Sequence, residues 1–182
     1  PVMDALIRSK PGPGADELAY THRPLKEQFG LLGIRQIELD LYADPEGGRF
    51  AQPAGPKLAA AAGLGAVIPH DPDGELLKPG FKILHVPDVD FISRNRTFQG
   101  ALTEIREWSA ANPFHFPILV LLELKEDALG VPGSTKVVKY DAALLDAVDA
   151  AVREVIPPTQ RFEPDDLRGD HPTLRDAVAG KG

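Results

Sequence analysis

Apolar and polar positions alternate cleanly over residues 34–41, where Ile37, Leu39 and Leu41 are interleaved with Glu38 and Asp40. That period of two predicts a β-strand with both carboxylates on one face. Residues 81–86 predict a second strand, ending near His85. Residues 117–124 predict a third, whose unbroken apolar run Ile118 to Leu122 suits a strand covered on both faces. Between the strands the period changes to that of a helix. Residues 2–8 predict a short helix, closed by Pro11-Gly12-Pro13-Gly14. Pro24 suits the first turn of a helix with Leu25, Phe29 and Leu32 on its apolar side and Gly33 at its end. Thr97 predicts the cap of a helix running to Ala110 with Leu102, Ile105, and Trp108 or Ser109 along one side, and residues 141–155 predict an amphipathic helix carrying Leu144, Leu145, Val148, Val152 and Val155. Residues 43–80 are rich in Gly, Pro and Ala and predict a long excursion with a short helix near 58–62. Strands alternating with helices predict parallel βαβ units. There is no internal repeat.

The strand ends carry the candidate chemistry. Glu38 and Asp40 close the first strand, and Glu123 and Lys125, which share a face, close the third. His85 stands at the end of the strand between them in sequence. In parallel α/β folds, ligands and catalytic groups gather at that edge. Carboxylates on one face repel one another and cost desolvation unless a cation lies among them or the strand end is open to water. Glu38, Asp40 and Glu123 are therefore candidate oxygen ligands for a hard cation, Ca²⁺ before Mg²⁺, and the lack of a second nearby histidine argues against zinc. His85, with a reference pKa of about 6.5, is either a general acid or a satisfied core histidine. Lys125 is either a phosphate contact or a solvated lysine.

Composition narrows the class. The chain has 182 residues, 43% of them hydrophobic, enough for one domain with a sizeable core. A net charge of -7 argues against duplex nucleic acid as a partner. There are no cysteines, hence no disulfide or thiolate chemistry. No apolar run approaches the length of a membrane span, and no signal peptide is visible.

Ordered segments along nearly the whole chain carry a resemblance. They are Tyr20-Thr21-His22-Arg23-Pro24-Leu25 before Glu27-Gln28-Phe29; Ile37-Glu38-Leu39-Asp40; and His85 with Val86-Pro87-Asp88. Further along come Trp108-Ser109-Ala110-Ala111-Asn112-Pro113 before His115-Phe116-Pro117-Ile118, then Leu122-Glu123-Leu124-Lys125, and Pro164-Asp165-Asp166-Leu167-Arg168-Gly169 before Thr173-Leu174-Arg175. The set resembles the bacterial calcium-dependent phosphatidylinositol-specific phospholipases C. The resemblance implies an α/β fold of the TIM-type barrel class and cleavage of phosphatidylinositol at a membrane surface, without a transmembrane anchor, by a secreted or periplasmic protein. It implies Glu38, Asp40 and Glu123 as Ca²⁺ ligands and His85 as the acid that protonates the diacylglycerol leaving group. The inositol 2-hydroxyl would attack phosphorus and give a cyclic inositol phosphate. Glu38 or Glu123 can then accept the hydroxyl proton, and Lys125 can contact the phosphate.

The chain also departs from the family. The family's first catalytic histidine, followed by a calcium-binding asparagine, has no counterpart; His22 is followed by Arg23 and precedes a helix. Three strands are fewer than a (β/α)₈ barrel needs. The expectation is a single catalytic domain over 1–182 that lacks N- and C-terminal barrel segments and turns over poorly alone. Two rival readings remain. A glycerophosphodiester phosphodiesterase would use His70-Asp71 as its His-Asp step, and a non-catalytic remnant would bind calcium or a lipid headgroup. His70 is expected to be exposed and His115 to brace its turn. Capping explains Asp170 and His171, and Phe81, Phe98, Trp108 and Phe116 are expected in the core.

Overall fold

The structure is a computed structural model and describes residues 20–63, 69–130 and 133–179. The helix expected over 2–8 lies outside the described residues. Three strands form one open sheet in the order β2-β1-β3: β1 (Gln36–Asp44), β2 (Gly80–Ile83) and β3 (Leu119–Leu124). The closed barrel that the resemblance implies is not what the described residues build.

β1 and β3 pair in parallel, as the βαβ pattern predicts. β2 does not follow it; it pairs antiparallel with β1, Leu41 opposite Ile83 and Asp44 opposite Gly80. The excursion over 43–80 is therefore a long return loop to a neighbouring strand, not a crossover to a parallel one. It contains α2 (Gly55–Ala61) and a 3₁₀ turn (Glu75–Leu77).

One face of the sheet is covered by helices. Ile37, Leu39, Leu41 and Phe81 pack against Leu25 and Phe29 of α1 (Leu25–Gly30), against α3 (Phe98–Ala111) and against Val148 and Ala151 of α4 (Ala142–Val155). Both longer helices begin as predicted. The Thr97 hydroxyl accepts from the Gly100 N–H, and the Asp141 carboxylate accepts from the Leu144 N–H. Two short helices, α5 (Pro164–Arg168) and α6 (Leu174–Ala179), follow and pack on each other. Thr173, not His171, caps α6 by accepting from the Asp176 N–H.

The opposite face is covered only in part. Tyr42, Phe50, Leu84 and Phe91 form a second small cluster there. Beside it, Lys82 and Asp44 are fully buried as an ion pair with Nζ 3.3 Å from Oδ2. Towards the N-terminal end of β3 the cover stops among the described residues: Leu119 is 61% and Leu121 50% exposed. The expectation that this strand is covered on both faces is thus corrected. Phe116 is exposed as well, although Phe81 and Phe98 are core residues as expected. Next to it, His115 binds the Ser109 hydroxyl and the Phe116 carbonyl, bracing the turn as predicted. Leu32 and Leu145 are also more exposed than their helical pattern predicts.

The loop after β2 is held rigidly. Asp88 is buried and accepts from the Ala54 N–H, the Thr135 N–H and the Thr135 hydroxyl. This ties the segment following His85 to the segment following β3. Gly55 permits the approach, because a Cβ there would lie 2.4 Å from the Asp88 carbonyl oxygen.

Candidate active site

The site grows from the register of the two parallel strands. Asp40 lies directly opposite Glu123, and Glu38 lies two residues earlier on the same face of β1. Ile37, Leu39 and Leu41, which alternate with them, are buried on the other face, which fixes the carboxylates outward. One carboxylate oxygen from each of Glu38, Asp40 and Glu123 lies within 4.8 Å of the others. The three residues that the sequence singles out are therefore brought together.

Lys125 joins them. Its N–H donates to the Leu41 carbonyl, continuing the ladder one residue past β3 and keeping its side chain beside Glu123. Nζ lies 3.1 Å from Glu123 Oε1 and 3.9 Å from Asp40 Oδ2. Neither earlier reading of Lys125 anticipates this: it is an ion-pair partner inside the acidic cluster. The charges polarise the pair of facing acids. Burial, then hydrogen bonding with Glu123, pushes Asp40 up to about 6, against the pull of Lys125. Hydrogen bonds from Lys125 and then Asp40 hold Glu123 below the usual carboxylate range. As the pH falls, the more buried Asp40 is therefore the first of the two to take up a proton.

His85 stands one residue beyond Leu84, whose N–H donates to the Asp40 carbonyl. It therefore reaches the acidic cluster by an antiparallel return, not from the end of a third parallel strand. Its Nδ1 lies 2.8 Å from Asp90 Oδ2 and 3.3 Å from the Tyr20 hydroxyl. The Asp90 contact is local. The Asp90 N–H donates to the Val86 carbonyl, which folds residues 86–90 into a tight turn and brings the carboxylate back to the ring. Burial first, and then the charge of Asp90, raises the pKa of Tyr20 above its ordinary value, so its hydroxyl stays protonated. The Tyr20 ring also lies 4.9 Å from that of His22. Sequence reasoning missed Asp90. The signal was available in the five-residue step from His85 through Pro87, but nothing periodic marks it.

A cleft of about 500 Å³ opens over these groups, lined by Tyr42, His85, Val86, Glu123, Lys125 and the segment 126–129. Burial, followed by the charge of Asp40, pushes the Tyr42 hydroxyl up to about 12, so this part of the lining stays neutral. His70 lies elsewhere. It is half-buried rather than exposed, edge-on to Phe91 at 5.0 Å between ring centroids, with Nε2 3.2 Å from the Ala51 carbonyl oxygen. Asp71 accepts from the Glu75 and Leu76 N–H groups and serves the 3₁₀ turn.

The family model described as phosphoinositide phospholipase C, Ca²⁺-dependent, matches residues 1–182. The chain belongs to this family. No curated protein and no solved structure matches it. For a Ca²⁺-dependent phosphoinositide phospholipase C, the acidic cluster has fitting chemistry. All three donors are oxygens, the ligand type Ca²⁺ takes, and Ca–O distances of about 2.3–2.6 Å let two ligands of one ion stand up to about 5 Å apart. The 4.8 Å spread lies within that pairwise limit. Mg²⁺, at about 2.0–2.1 Å, would require the carboxylates to close to about 4 Å.

Proposed function

We propose that this chain cleaves phosphatidylinositol to diacylglycerol and inositol cyclic phosphate, with Ca²⁺ held by Glu38, Asp40 and Glu123. One observation carries the reading: three carboxylates converge with the spacing of a Ca²⁺ site, and one of them, Glu123, lines the same cleft as a histidine paired with an aspartate. Bound there, Ca²⁺ supplies a lowered pKa for the inositol 2-hydroxyl and neutralises charge that grows on the phosphoryl oxygens.

The residues of the chain do the rest. Asp90 accepts from the Nδ1–H of His85, which fixes the ring and leaves Nε2 as the nitrogen facing the reaction. The 2-hydroxyl oxygen bonds to phosphorus as the bond from phosphorus to the glycerol oxygen breaks. Glu38 or Glu123 accepts the hydroxyl proton. Protonated His85 gives its Nε2 proton to the departing glycerol oxygen, so diacylglycerol leaves as the neutral alcohol. Secreted or periplasmic residence belongs to the same reading, on the family resemblance. His70 and Asp71 are engaged away from the cleft, so the glycerophosphodiester reading gains no support from them.

Product analysis tests the proposal. The natural-length protein is incubated with phosphatidylinositol vesicles and Ca²⁺, and the water-soluble products are read by ³¹P NMR. Inositol cyclic phosphate is the expected first product. Glycerol phosphate species would assign the rival hydrolase, and vesicle or Ca²⁺ binding without any product would assign the non-catalytic module.

A further inference from the structure

Lys125 is the group whose position the reaction above does not explain. Its backbone is locked by the bond to Leu41, its side chain is only 20% exposed, and its ammonium contacts two of the three carboxylates. A solvated lysine at a strand end has no reason to turn inward. Here the reason is electrostatic: Glu38, Asp40 and Glu123 converge, and an ammonium is the cation the chain itself can supply.

We propose that Lys125 is a resident counter-ion of the acidic cluster, which a divalent cation must displace in order to bind. The inference rests on the Ca²⁺ reading of that cluster. An ammonium offers three donors and one charge, whereas Ca²⁺ takes six to eight oxygens and brings two charges. Glu123 Oε1 cannot coordinate the metal and keep Nζ at 3.1 Å without placing two cations side by side. The lysine must therefore leave, and its flexible four-carbon stem lets it do so at little cost. Lys125 already lines the cleft, so the released ammonium stays there. Metal occupancy is thus coupled to the appearance of a free positive charge in the cleft, away from the metal, where the anionic phosphodiester can pair with it. Without metal, the same lysine quenches the cluster and steadies the sheet edge.

Two measurements test this, neither of which needs turnover. The first is calorimetric titration of Ca²⁺ into the wild-type protein and into Lys125→Met, which keeps the stem and removes the charge. Lys125→Met is expected to bind Ca²⁺ about tenfold more tightly, the size of one moderate charge interaction. The second is acetylation of the wild-type protein by an N-hydroxysuccinimide ester, with the fraction modified at Lys125 read by mass spectrometry. Saturating Ca²⁺ is expected to raise that fraction several-fold, because the ammonium moves out of its ion pairs. Equal or weaker binding by Lys125→Met, with wild type still binding Ca²⁺, overturns the displacement and leaves the metal site standing. Tighter binding with unchanged or reduced labelling also overturns it, since that is a charge effect acting through space. Absence of Ca²⁺ binding in both proteins overturns the inference and the metal reading together.

Discussion

Replacing His85 by Ala is expected to lower turnover of phosphatidylinositol by roughly 10²–10⁴-fold while leaving substrate binding nearly unchanged. The expectation comes from when the group acts. A general acid delivers its proton as the glycerol oxygen departs, so its contribution lies almost wholly in the transition state. A substrate with a more acidic leaving group needs that proton less, and the loss on it should be much smaller. Asp90→Asn should give an intermediate loss on the natural substrate, because it keeps the size of the side chain but weakens the bond that orients the ring. Steady-state kinetics of the natural-length protein on both substrates reads all of this. Equal losses on the two substrates would make His85 a structural residue.

The second large effect concerns stability. Lys82→Met is expected to cost about 3–5 kcal/mol, because it strands the fully buried Asp44 carboxylate without its ammonium. Burial already pushes the pKa of Lys82 below its ordinary value, and Asp44 opposes that shift. Nζ also donates to the Lys78 carbonyl, so the pair anchors the return loop that delivers β2 to β1. The double variant Lys82→Met with Asp44→Leu removes both charges and should recover much of the loss, less the bond that the Arg49 N–H makes to Asp44. Equilibrium denaturation measures the four corners of the cycle. A double variant no more stable than the single one would mean that loop geometry, not uncompensated charge, sets the cost.

Much of the site was legible because strands translate sequence spacing into position. Alternation in β1 put Glu38 and Asp40 on one face, and the acidic end of a second apolar strand supplied Glu123. The helix starts at Thr97 and Asp141 were equally legible, since a capping side chain is a local device. What failed depended on pairing between distant segments. The antiparallel return of β2 was hidden because residues 43–80 contain a short helix and so imitate a crossover. A continuous apolar run such as Leu119 to Leu122 does not encode which of its faces is covered. The Lys125 ion pairs require the β1–β3 register, although its shared face with Glu123 could be read directly. Asp90 is placed by a hydrogen bond within a tight turn, which leaves no periodic trace.

The account turns on whether Glu38, Asp40 and Glu123 hold a cation, and calorimetric titration of folded protein with Ca²⁺ tests this most directly. The expected result is one-site binding near neutral pH that disappears when Asp40 and Glu123 are both replaced by Ala. Binding should weaken as the pH is lowered through about 6. Asp40 holds its proton up to that range in the cation-free protein, and the metal must displace it, so proton release should accompany binding at the lower pH. Ca²⁺ affinity that survives the double replacement, or that is indifferent to pH between about 5 and 7.5, would contradict the assignment of the ligands.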